Sequence, residues 1–478
     1  MNYPQPALRI GGRWIERTDH GGLPVHDPAR AIVIGHTPIA GPGEIAAALV
    51  AAAQGFEIWR RTLPIERCHV IARATGLLRE RAASIAAILT QEQGKPVAES
   101  LREVTLAADI IDFLAEESRR LASRGVPPRS PRVLSQTVSR VPVGPVAAFT
   151  AWNFPANLPA RKLGGALAAG CSVIIKPAEQ TPATCMAMVQ AFVDAGLPDG
   201  VLNLLTGNPA EISAALIRSP VIAKVSFTGS VAVGRELGAL AARHGKRYTA
   251  ELGGHAPVIV CADADPVAVA RLAVVAKFRN AGQVCASPIR FLVHRSVYAA
   301  FRDTFVAGAM ALRVGDGSDP ATQLGPLIEE HRLHEMQAFV DDAIAQGGRV
   351  ACGGTRVERP GWFYAATVLE HVPLNAKVQQ VEPFGPIALL DAFDDLDEAI
   401  ARANALPYGL AAYGFTRDLG GAHRLADGLD AGMIGINHFG ISQPETPFGG
   451  VKASGIGHES GLEGLLGYTE LKLVSMAA

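Results

Sequence analysis

Apolar residues recur at intervals of three and four from about residue 42 to residue 123, which is the period of an amphipathic helix. This pattern predicts helices over residues 44–56, 65–90 and 99–122. The following segment, 124–132, contains three prolines and therefore predicts an extended connector rather than another helix. The chain should thus begin with a layer of three long helices.

Beyond residue 145 the pattern changes to short apolar runs that alternate with amphipathic stretches. Strands are predicted over 146–150, 172–175, 202–205 and 224–227, separated by helices over 158–169, 182–195 and 211–217. Such alternation is typical of crossover units, in which helices cover both faces of a parallel sheet. A second alternating region covers 258–437, and a lone strand is predicted over 469–474. The pattern therefore indicates an α/β protein with at least two layered domains.

Composition narrows the class of protein. Of 478 residues, 49% are hydrophobic and 19% are charged, and 44 Lys and Arg balance 45 Asp and Glu for a net charge of −1. This balance gives no electrostatic basis for binding nucleic acid or an anionic membrane, and no apolar run reaches the roughly 18 residues of a membrane span. Residues 1–12 lack the pattern of an export signal, and the six cysteines contain no C-x-x-C pair. We therefore expect a soluble, cytoplasmic protein with reduced thiols.

One helix carries a pattern that could suit a metal ion. Glu330, His331, His334 and Glu335 place two histidines near each other on a predicted helix. The H-E-x-x-H zinc pattern is absent, and the charges around the histidines fit a solvated helix face. We therefore expect no metal site.

Two strand ends could hold a nucleotide. The first leads through Gly229 and Ser230 into a helix start, where free backbone N–H groups favour a phosphate. The second carries Lys176 and Glu179 to the C-terminal end of a strand, where ligands bind in open α/β sheets, and this pair could hold a ribose diol. An ordinary capped helix and a surface ion pair would give the same two patterns, so both interpretations stay open.

One of the six cysteines stands in a distinctive context. Cys285 lies in a loop of small residues, and Gly282 in that loop would let a thiolate approach a substrate closely. A free cysteine is most often a small buried apolar residue, which is the better explanation of Cys171, Cys185 and Cys261. Cys285 is therefore the candidate nucleophile.

Six motifs follow one another along the chain in a recognisable order. They are Trp152-Asn-Phe-Pro155, Phe227-Thr-Gly-Ser230, Glu251-Leu-Gly-Gly254, Gly282-Gln-Val-Cys285, Glu382-Pro-Phe-Gly-Pro386 and Pro447-Phe-Gly-Gly-Val-Lys-Ala-Ser-Gly455. Together they resemble the signature set of the NAD(P)-dependent aldehyde dehydrogenase superfamily, over practically the whole chain. Thr90-Gln-Glu-Gln-Gly-Lys-Pro96 and Phe278-Arg-Asn-Ala-Gly-Gln283 make the chain most similar to the succinate-semialdehyde and 2-oxoglutarate-semialdehyde dehydrogenases.

This resemblance implies an aldehyde dehydrogenase-like α/β fold in three parts. A Rossmann-type coenzyme domain would comprise residues 1–118 and 141–251, an α/β catalytic domain 252–440, and a small β oligomerisation element 119–140 and 459–478. The oligomerisation element would explain the proline-rich arm and the lone terminal strand, which have no evident local sheet and could be completed across a subunit boundary. We therefore expect a homodimer or a homotetramer.

The resemblance also implies the catalytic residues. Cys285 would attack the aldehyde carbon, and the oxyanion of the thiohemiacetal would accept hydrogen bonds from the Asn153 amide and the Cys285 backbone N–H. Hydride transfer to the nicotinamide would leave a thioester, which Glu251 would hydrolyse by activating water. The other explanation of Glu251 is a structural ion pair. A non-enzymatic scaffold and an enzyme that transfers the acyl group to coenzyme A are alternatives that Cys285 and Glu251 disfavour.

For the cofactor, Lys176 and Glu179 match positions that hold the adenosine ribose. The other cofactor contacts that the resemblance implies are Trp152, Gly229, Ser230, Leu252, Glu382 and Phe384. A carboxylate such as Glu179 beside the 2′-hydroxyl would repel a 2′-phosphate, which favours NAD and leaves NADP possible.

For the substrate, Arg161 stands with Lys162 in an otherwise apolar predicted helix, where an unpaired guanidinium favours an anion as its partner. The resemblance implies that Arg161 and Arg279 bind a substrate carboxylate, while Gln443 stands where some relatives have a serine. An ion pair with a protein acid is the other explanation of either arginine. We therefore expect oxidation of succinate semialdehyde or 2-oxoglutarate semialdehyde with NAD, and the alternative is a broad-specificity aldehyde dehydrogenase that acts on uncharged aldehydes.

Overall fold

The computed structural model describes residues 3–478, in which strands and helices alternate along the chain. Met1 and Asn2, the start of the segment considered above for export, lie outside the described residues. The strands are β1 (Leu8–Ile10), β2 (Arg13–Ile15), β3 (Gly22–Asp27), β4 (Ile32–Pro38), β5 (Arg124–Gly125), β6 (Val133–Pro142), β7 (Val146–Phe149), β8 (Val173–Lys176), β9 (Leu202–Leu204), β10 (Lys224–Thr228), β11 (Arg247–Glu251), β12 (Ala256–Val260), β13 (Pro288–His294), β14 (Arg349–Cys352), β15 (Thr367–Glu370), β16 (Ile387–Phe393), β17 (Ala411–Phe415), β18 (Met433–Ile436), β19 (Gly455–Ile456) and β20 (Thr469–Ala477). The helices are α1 (Pro42–Trp59), α2 (Pro64–Glu80), α3 (Ala82–Gln93), α4 (Val97–Ser118), α5 (Asn157–Ala169), α6 (Pro182–Asp194), α7 (Pro209–Arg218), α8 (Val231–Arg243), α9 (Pro266–Phe278), α10 (Arg295–Met310), α11 (Glu330–Ala345), α12 (Lys377–Gln380), α13 (Leu396–Asn404), α14 (Leu419–Gly428) and α15 (Gly461–Leu466).

Two large sheets form the framework. One has eight strands in the order β19-β11-β10-β7-β8-β9-β1-β2, and its five strands from β11 to β9 run parallel. The other has seven strands in the order β14-β15-β16-β13-β12-β17-β18, all parallel except β14. Helices pack on both faces, so that the central strands β7, β8 and β12 are buried throughout and consist largely of apolar residues. The predicted α/β class is confirmed.

The prediction for the start of the chain was wrong in two respects. Four short strands, β1 to β4, precede the first helix, and the helix predicted over 65–90 is divided into α2 and α3. The break falls at Arg81, which has φ −92° and ψ 6° and binds Asp194 at 2.6 Å. Neither Gly nor Pro marks this position, so packing against α6 rather than local sequence sets the break. Strands of three residues, such as β1 and β2, are too short to give a visible alternation.

The strand that follows the proline-rich arm pairs with the C-terminal tail. β20 runs antiparallel to β6 from the pair Thr469 and Pro142 to the pair Ala477 and Val133, and β5 completes a three-stranded sheet. The expectation that these segments have no local sheet was therefore wrong, since two distant segments of the same chain supply it. The domain limits and the oligomeric state stay predictions. Within residues 3–478 no helix combines the length and the apolar character that crossing a membrane requires.

Candidate active site

Cys285 follows a strained loop at the end of α9. Asn280 and Ala281 have φ of 50° and 53°, and Gly282 has φ of 71°. Such left-handed conformations cost about 1 to 3 kcal/mol for residues other than glycine, and they persist only where surrounding contacts hold them. A Cβ atom on Gly282 would lie 2.1 Å from the carbonyl oxygen of Gly385, so this position requires glycine. The loop leaves Cys285 half-buried.

The environment of Cys285 keeps its thiol protonated. Burial raises the pKa of Cys285 to about 12, and the carboxylates of Glu382 and Glu251 add to this rise. The charge of Arg161 opposes it. The sulfur is therefore a neutral thiol near pH 7 in the protein alone, and it needs a base before it can act as a nucleophile.

Glu251 is the last residue of β11 and lies at the carboxyl edge of the eight-stranded sheet. Its side chain is buried, and neither carboxyl oxygen has a hydrogen-bond partner among residues 3–478. Burial first, and then the charge of Glu459, hold the pKa of Glu251 well above its usual range, while Lys162 and Arg161 oppose the rise. Glu251 forms no ion pair in the described chain, so the alternative of a structural ion pair fails. A buried carboxyl with a raised pKa suits general base chemistry near neutral pH.

Lys162 and Glu459 form a buried ion pair beside Glu251, which was not predicted from the sequence. Lys162 Nζ binds Glu459 Oε1, and it also donates to Thr228 Oγ1 at 2.8 Å and to Ser226 Oγ at 3.2 Å. The two ends of this pair are separated by 297 residues, and the only signal in the sequence was a lysine in an apolar helix. The pair places one positive and one negative charge within range of the Glu251 carboxyl.

Asn153 is tied directly to the nucleophile loop. Its side-chain Nδ2 donates to the carbonyl oxygen of Gln283 at 3.1 Å. Its backbone carbonyl accepts from Asn280 Nδ2 at 2.9 Å and from Lys95 Nζ at 2.7 Å. An amide nitrogen carries two hydrogens, so one of them remains free for a ligand.

Arg161 is buried without a carboxylate partner. Its guanidinium donates to Ser460 Oγ at 2.7 Å and to Ser442 Oγ at 2.8 Å, and it lies 4.1 Å above the ring of Phe448. Cys285 packs against the small apolar cluster that contains Phe448. Among residues 3–478 Arg161 forms no ion pair, so the alternative that a protein acid neutralises it fails. A positive charge thus stands unneutralised next to the candidate nucleophile.

The other two predicted substrate contacts lie differently. Arg279 is exposed, 5.5 Å above the ring of Phe154, and has no ion pair within the described residues. Gln443 is also exposed and donates to the carbonyl oxygen of Gly440, so that it does not reach Arg161. Its neighbour Ser442 does reach Arg161. Neither Ser442 nor Ser460 was predicted from the sequence, although the family resemblance pointed to a serine in some relatives at the position of Gln443.

A cleft of about 550 Å³ opens at the carboxyl ends of β7, β8 and β10. Its lining includes five of the predicted cofactor contacts, namely Trp152, Lys176, Glu179, Gly229 and Ser230. Lys176 and Glu179 form an ion pair at the rim, and Ser230 Oγ accepts from the N–H of Val233 as the cap of α8. Ser230 is thus both a helix cap and part of the cleft wall.

The three remaining predicted cofactor contacts lie outside this cleft. Glu382 is close to the nucleophile, its Oε1 has no partner among residues 3–478, and burial raises its pKa to about 8. Phe384 meets Trp152 edge to face, with ring centres 5.5 Å apart, and so links the two regions. Leu252 is buried against Gly234 of α8, beside a separate groove of about 350 Å³.

The helix with two histidines, α11, carries no metal cluster. His331 Nδ1 lies 3.0 Å from Glu329, and Glu335 binds Arg332. Within residues 3–478 no three His, Cys, Asp or Glu side chains are grouped so that they could hold a metal ion.

Comparisons with known proteins cover nearly the whole chain. The model of the aldehyde dehydrogenase family matches residues 14–474. The chain is 48% identical over 476 residues to the 4-(hydroxymethyl)benzenesulfonate dehydrogenase TsaD1 of Comamonas testosteroni, with 100% of this chain and 99% of that protein covered. It is 40% identical over 472 residues to the succinate-semialdehyde dehydrogenase [NADP(+)] GabD of Escherichia coli, with 98% and 97% covered. The crystal structure of an NADP-dependent enzyme of E. coli has a TM-score of 0.97 and 38% identity, with 100% and 99% covered.

Proposed function

Because this chain belongs to the aldehyde dehydrogenase family, we propose that it oxidises an aldehyde that also carries an anionic group. The family membership makes the chain an oxidoreductase that uses NAD or NADP to oxidise aldehydes. The single observation that supports an anionic substrate is the buried and unneutralised guanidinium of Arg161 beside Cys285.

The energetics of Arg161 favour a bound anion. Burial lowers the pKa of Arg161, and two neutral serine hydroxyls replace only part of the hydration that a guanidinium loses. Of its five N–H donors, three have no protein acceptor in the described chain. Each charge-assisted hydrogen bond to a carboxylate contributes about 1.5 to 3 kcal/mol. A substrate anion would therefore bind more strongly than a water molecule at the same place.

Two classes of anionic aldehyde are supported. The first is a short semialdehyde, succinate semialdehyde or 2-oxoglutarate semialdehyde, to which the likeness to GabD points. The second is an aromatic aldehyde with a sulfonate group, which is the oxidation product of the hydroxymethyl compound in the name of TsaD1. The ring of Phe448 below Arg161 would suit either the stem of a semialdehyde or an aromatic ring.

In the proposed reaction Cys285 Sγ forms a bond to the aldehyde carbon. The thiol proton leaves to the carboxylate of Glu251, whose raised pKa makes it a stronger base than an exposed glutamate. The carbonyl oxygen becomes an oxyanion, which accepts the free N–H of the Asn153 amide and the backbone N–H of Cys285. Arg161 meanwhile holds the anionic end of the substrate and fixes the carbonyl near sulfur.

The residues of the cleft fit a dinucleotide. Lys176 and Glu179 at the rim can hold a ribose diol, and the unpartnered Oε1 of Glu382 can accept a ribose hydroxyl near Cys285. When bound, NAD or NADP supplies the acceptor for the hydride. The carboxylate of Glu179 favours NAD over NADP because it would repel a 2′-phosphate. The names of both E. coli proteins compared above nevertheless give NADP as their cofactor.

Thioester hydrolysis completes the proposed reaction. Glu251 first releases the proton of the thiol to solvent and then takes a proton from water. The hydroxide oxygen bonds to the acyl carbon, and the bond to Cys285 Sγ breaks. The sulfur recovers a proton and the acid leaves. Lys162 and Glu459 act on the pKa of Glu251 in opposite directions and so set the pH range in which it works as a base.

Steady-state kinetics with matched aldehydes test the proposal. The panel comprises succinate, 2-oxoglutarate and glutarate semialdehydes with butanal as the uncharged control, and 4-sulfobenzaldehyde with benzaldehyde as its control. We expect kcat/KM for at least one anionic aldehyde to exceed that of its control by about tenfold or more, because one charge-assisted hydrogen bond is worth at least that factor. Equal or better turnover of both uncharged controls would overturn the proposal in favour of a broad-specificity enzyme.

A further inference from the structure

A buried lysine in the turn between α3 and α4 binds a residue of the candidate active site. Gly94, with φ of 94°, ends α3, and the next residue, Lys95, has a side chain that is only 1% exposed. This lysine belongs to the motif at residues 90–96, which resembles that of the semialdehyde dehydrogenases. The resemblance implied no role for Lys95 itself. No step of the proposed reaction uses it.

The ammonium group of Lys95 joins two structures. Its Nζ donates to Glu103 Oε2 at 2.6 Å and to the backbone carbonyl of Asn153 at 2.7 Å. It also lies 4.0 Å from the centre of the Phe154 ring. Burial lowers the pKa of Lys95, and the adjacent Glu103 opposes that shift. The carboxylate therefore helps to keep Lys95 charged, so that it remains a strong donor to Asn153.

The other contacts of this cluster fix the same part of the molecule. Glu103 Oε1 accepts the N–H groups of Ala156 and Asn157, at 2.8 and 3.2 Å, and so holds the first turn of α5. One helical turn earlier, Glu99 Oε2 accepts the N–H of Asn280 at 3.0 Å, within the strained loop before the nucleophile.

These contacts converge on Asn153. Its carbonyl receives Lys95 from one side and the Asn280 amide from the other, while its own amide donates to Gln283. Two of these partners belong to the nucleophile loop. Lys95, by contrast, lies outside this loop. It binds the Asn153 carbonyl while its ammonium group is held in a buried ion pair with Glu103.

We propose that Lys95 is a positioning residue for the proposed oxyanion donor, and that it acts by holding the Asn153 backbone against the nucleophile loop. This inference rests on the proposed function, because it requires Asn153 to bind the oxyanion. Without Lys95, the carbonyl of Asn153 would lose one of two hydrogen bonds, and Glu103 would be a buried carboxylate without its cation. A displacement of the Asn153 amide by a fraction of an ångström would weaken the donor in the transition state, where geometry matters most.

A double-mutant cycle with Lys95→Met and Asn153→Ala tests this inference in the full-length enzyme. Asn153→Ala should lower kcat by about 100- to 1,000-fold, which is the usual effect of removing one oxyanion donor. Lys95→Met should lower kcat by about 10- to 100-fold while leaving KM for NAD within about twofold. In the Asn153→Ala background, Lys95→Met should lower kcat by less than about threefold, because the side-chain amide that Lys95 positions is gone.

Arg67→Met is the matched control for the loss of a buried cation. Arg67 is buried in α2, in the same helical layer, and donates to the Thr62 carbonyl. Its side chain does not bind Asn153 or any of the residues that bind Asn153. We expect it to lower the melting temperature and to leave kcat within about twofold. If Lys95→Met does not fold, Glu103→Gln takes its place in the cycle, with the same dependence on Asn153 expected.

The outcomes distinguish a failure of the oxyanion role of Asn153 from a failure of the positioning role of Lys95. If Asn153→Ala leaves kcat unchanged, the oxyanion role of Asn153 fails, and with it the proposed mechanism. If Asn153→Ala is slow but the Lys95 effect is the same in both backgrounds, the proposed mechanism stands and the positioning role is overturned. A loss in Lys95→Met that appears equally in the Arg67→Met control would also overturn it.

Discussion

The proposed cofactor cleft and the proposed aldehyde pocket, which is formed by Cys285, Arg161 and Glu251, differ in whether their charged groups have partners. In the cleft the buried ammonium of Lys176 is paired with the partly exposed carboxylate of Glu179, at the carboxyl end of β8. In the pocket Arg161 has only neutral partners, and the carboxyl oxygens of Glu251 have none in the described chain. The cleft is thus electrostatically complete before a ligand arrives, whereas the pocket is not.

This difference in pairing predicts how strongly a substitution in each region should affect activity. A paired and partly exposed charge changes affinity modestly, because solvent and its partner screen it. An unpaired buried charge or carboxyl is costly unless a ligand or a proton completes it, which makes it suited to hold an anion or to move a proton. Substitutions in the pocket should therefore have much larger effects than substitutions in the cleft.

The largest effect should come from Cys285. Cys285→Ala should lower kcat by at least about 1,000-fold, because the covalent route is lost. NAD affinity, measured by calorimetric titration, should change less than about twofold, since the side chain lies outside the cleft. Cys261→Ala is the matched control with another half-buried thiol, and it should retain full activity. Retention of more than about a tenth of kcat in Cys285→Ala would rule out the covalent mechanism.

Glu251→Gln should have the next largest effect. Loss of the base should slow thioester hydrolysis by about 100-fold or more, and it should slow formation of the thioester less. Stopped-flow measurement of NADH should then show a burst close to one equivalent per active site, followed by a slow steady state. A variant that slows without a burst would contradict this order of effects, because it would mean that deprotonation of Cys285 depends on Glu251 more than thioester hydrolysis does.

A pH profile sharpens the role of the neighbouring ion pair. The charge of Glu459 raises the pKa of Glu251, whereas Lys162 lowers it. Glu459→Gln removes the first influence and keeps the second, so the acid limb of kcat should move to lower pH. Lys162→Met should move the limb to higher pH. Shifts in the same direction for both variants, measured between pH 5 and 9, would contradict an electrostatic origin.

The smallest effect should appear in the cleft. Glu179→Gln should raise the ratio of kcat/KM with NADP to that with NAD by about fivefold, since a pair of like charges about 4 Å apart in water costs about 1 kcal/mol. The carboxylate is partly exposed and paired with Lys176, which limits the effect. The matched control is Glu236→Gln, a second carboxylate on the cleft wall. A ratio that changes equally in both variants would mean that Glu179 does not face the 2′-position.

Local sequence predicted the parts of the fold that local forces determine. The helices over 158–169 and 182–195 and the strands that alternate with them were found within a few residues, because their apolar patterns and their flanking glycines and prolines agree. The break at Arg81 carries no such mark. The pairing of β20 with β6 joins segments more than 300 residues apart, and no local pattern encodes it.

The residues of the candidate site also fall into those that the sequence predicted and those that distant segments supply. Motif resemblance located Cys285, Glu251, Asn153 and Arg161, and the structure brings them together. It could not reveal the partners that decide their chemistry. Glu459 reaches Lys162 across 297 residues, and Ser442 and Ser460 reach Arg161 from similarly distant segments. Hydroxyl groups of serine carry no distinctive sequence signal, so only the folded chain identifies them.

The central claim is that Arg161 selects an aldehyde with an anionic group. The direct test is the ratio of kcat/KM for succinate semialdehyde to that for butanal, measured in the wild type and in Arg161→Met. The control is Arg140→Met, at an arginine of β6 in the three-stranded sheet. We expect Arg161→Met to lower this ratio by about tenfold or more, and Arg140→Met to leave it unchanged. If 4-sulfobenzaldehyde and benzaldehyde replace the first pair as the better substrates, the same fall in their ratio is expected. An unchanged ratio for both pairs in Arg161→Met would contradict the claim and leave Arg161 as a structural residue.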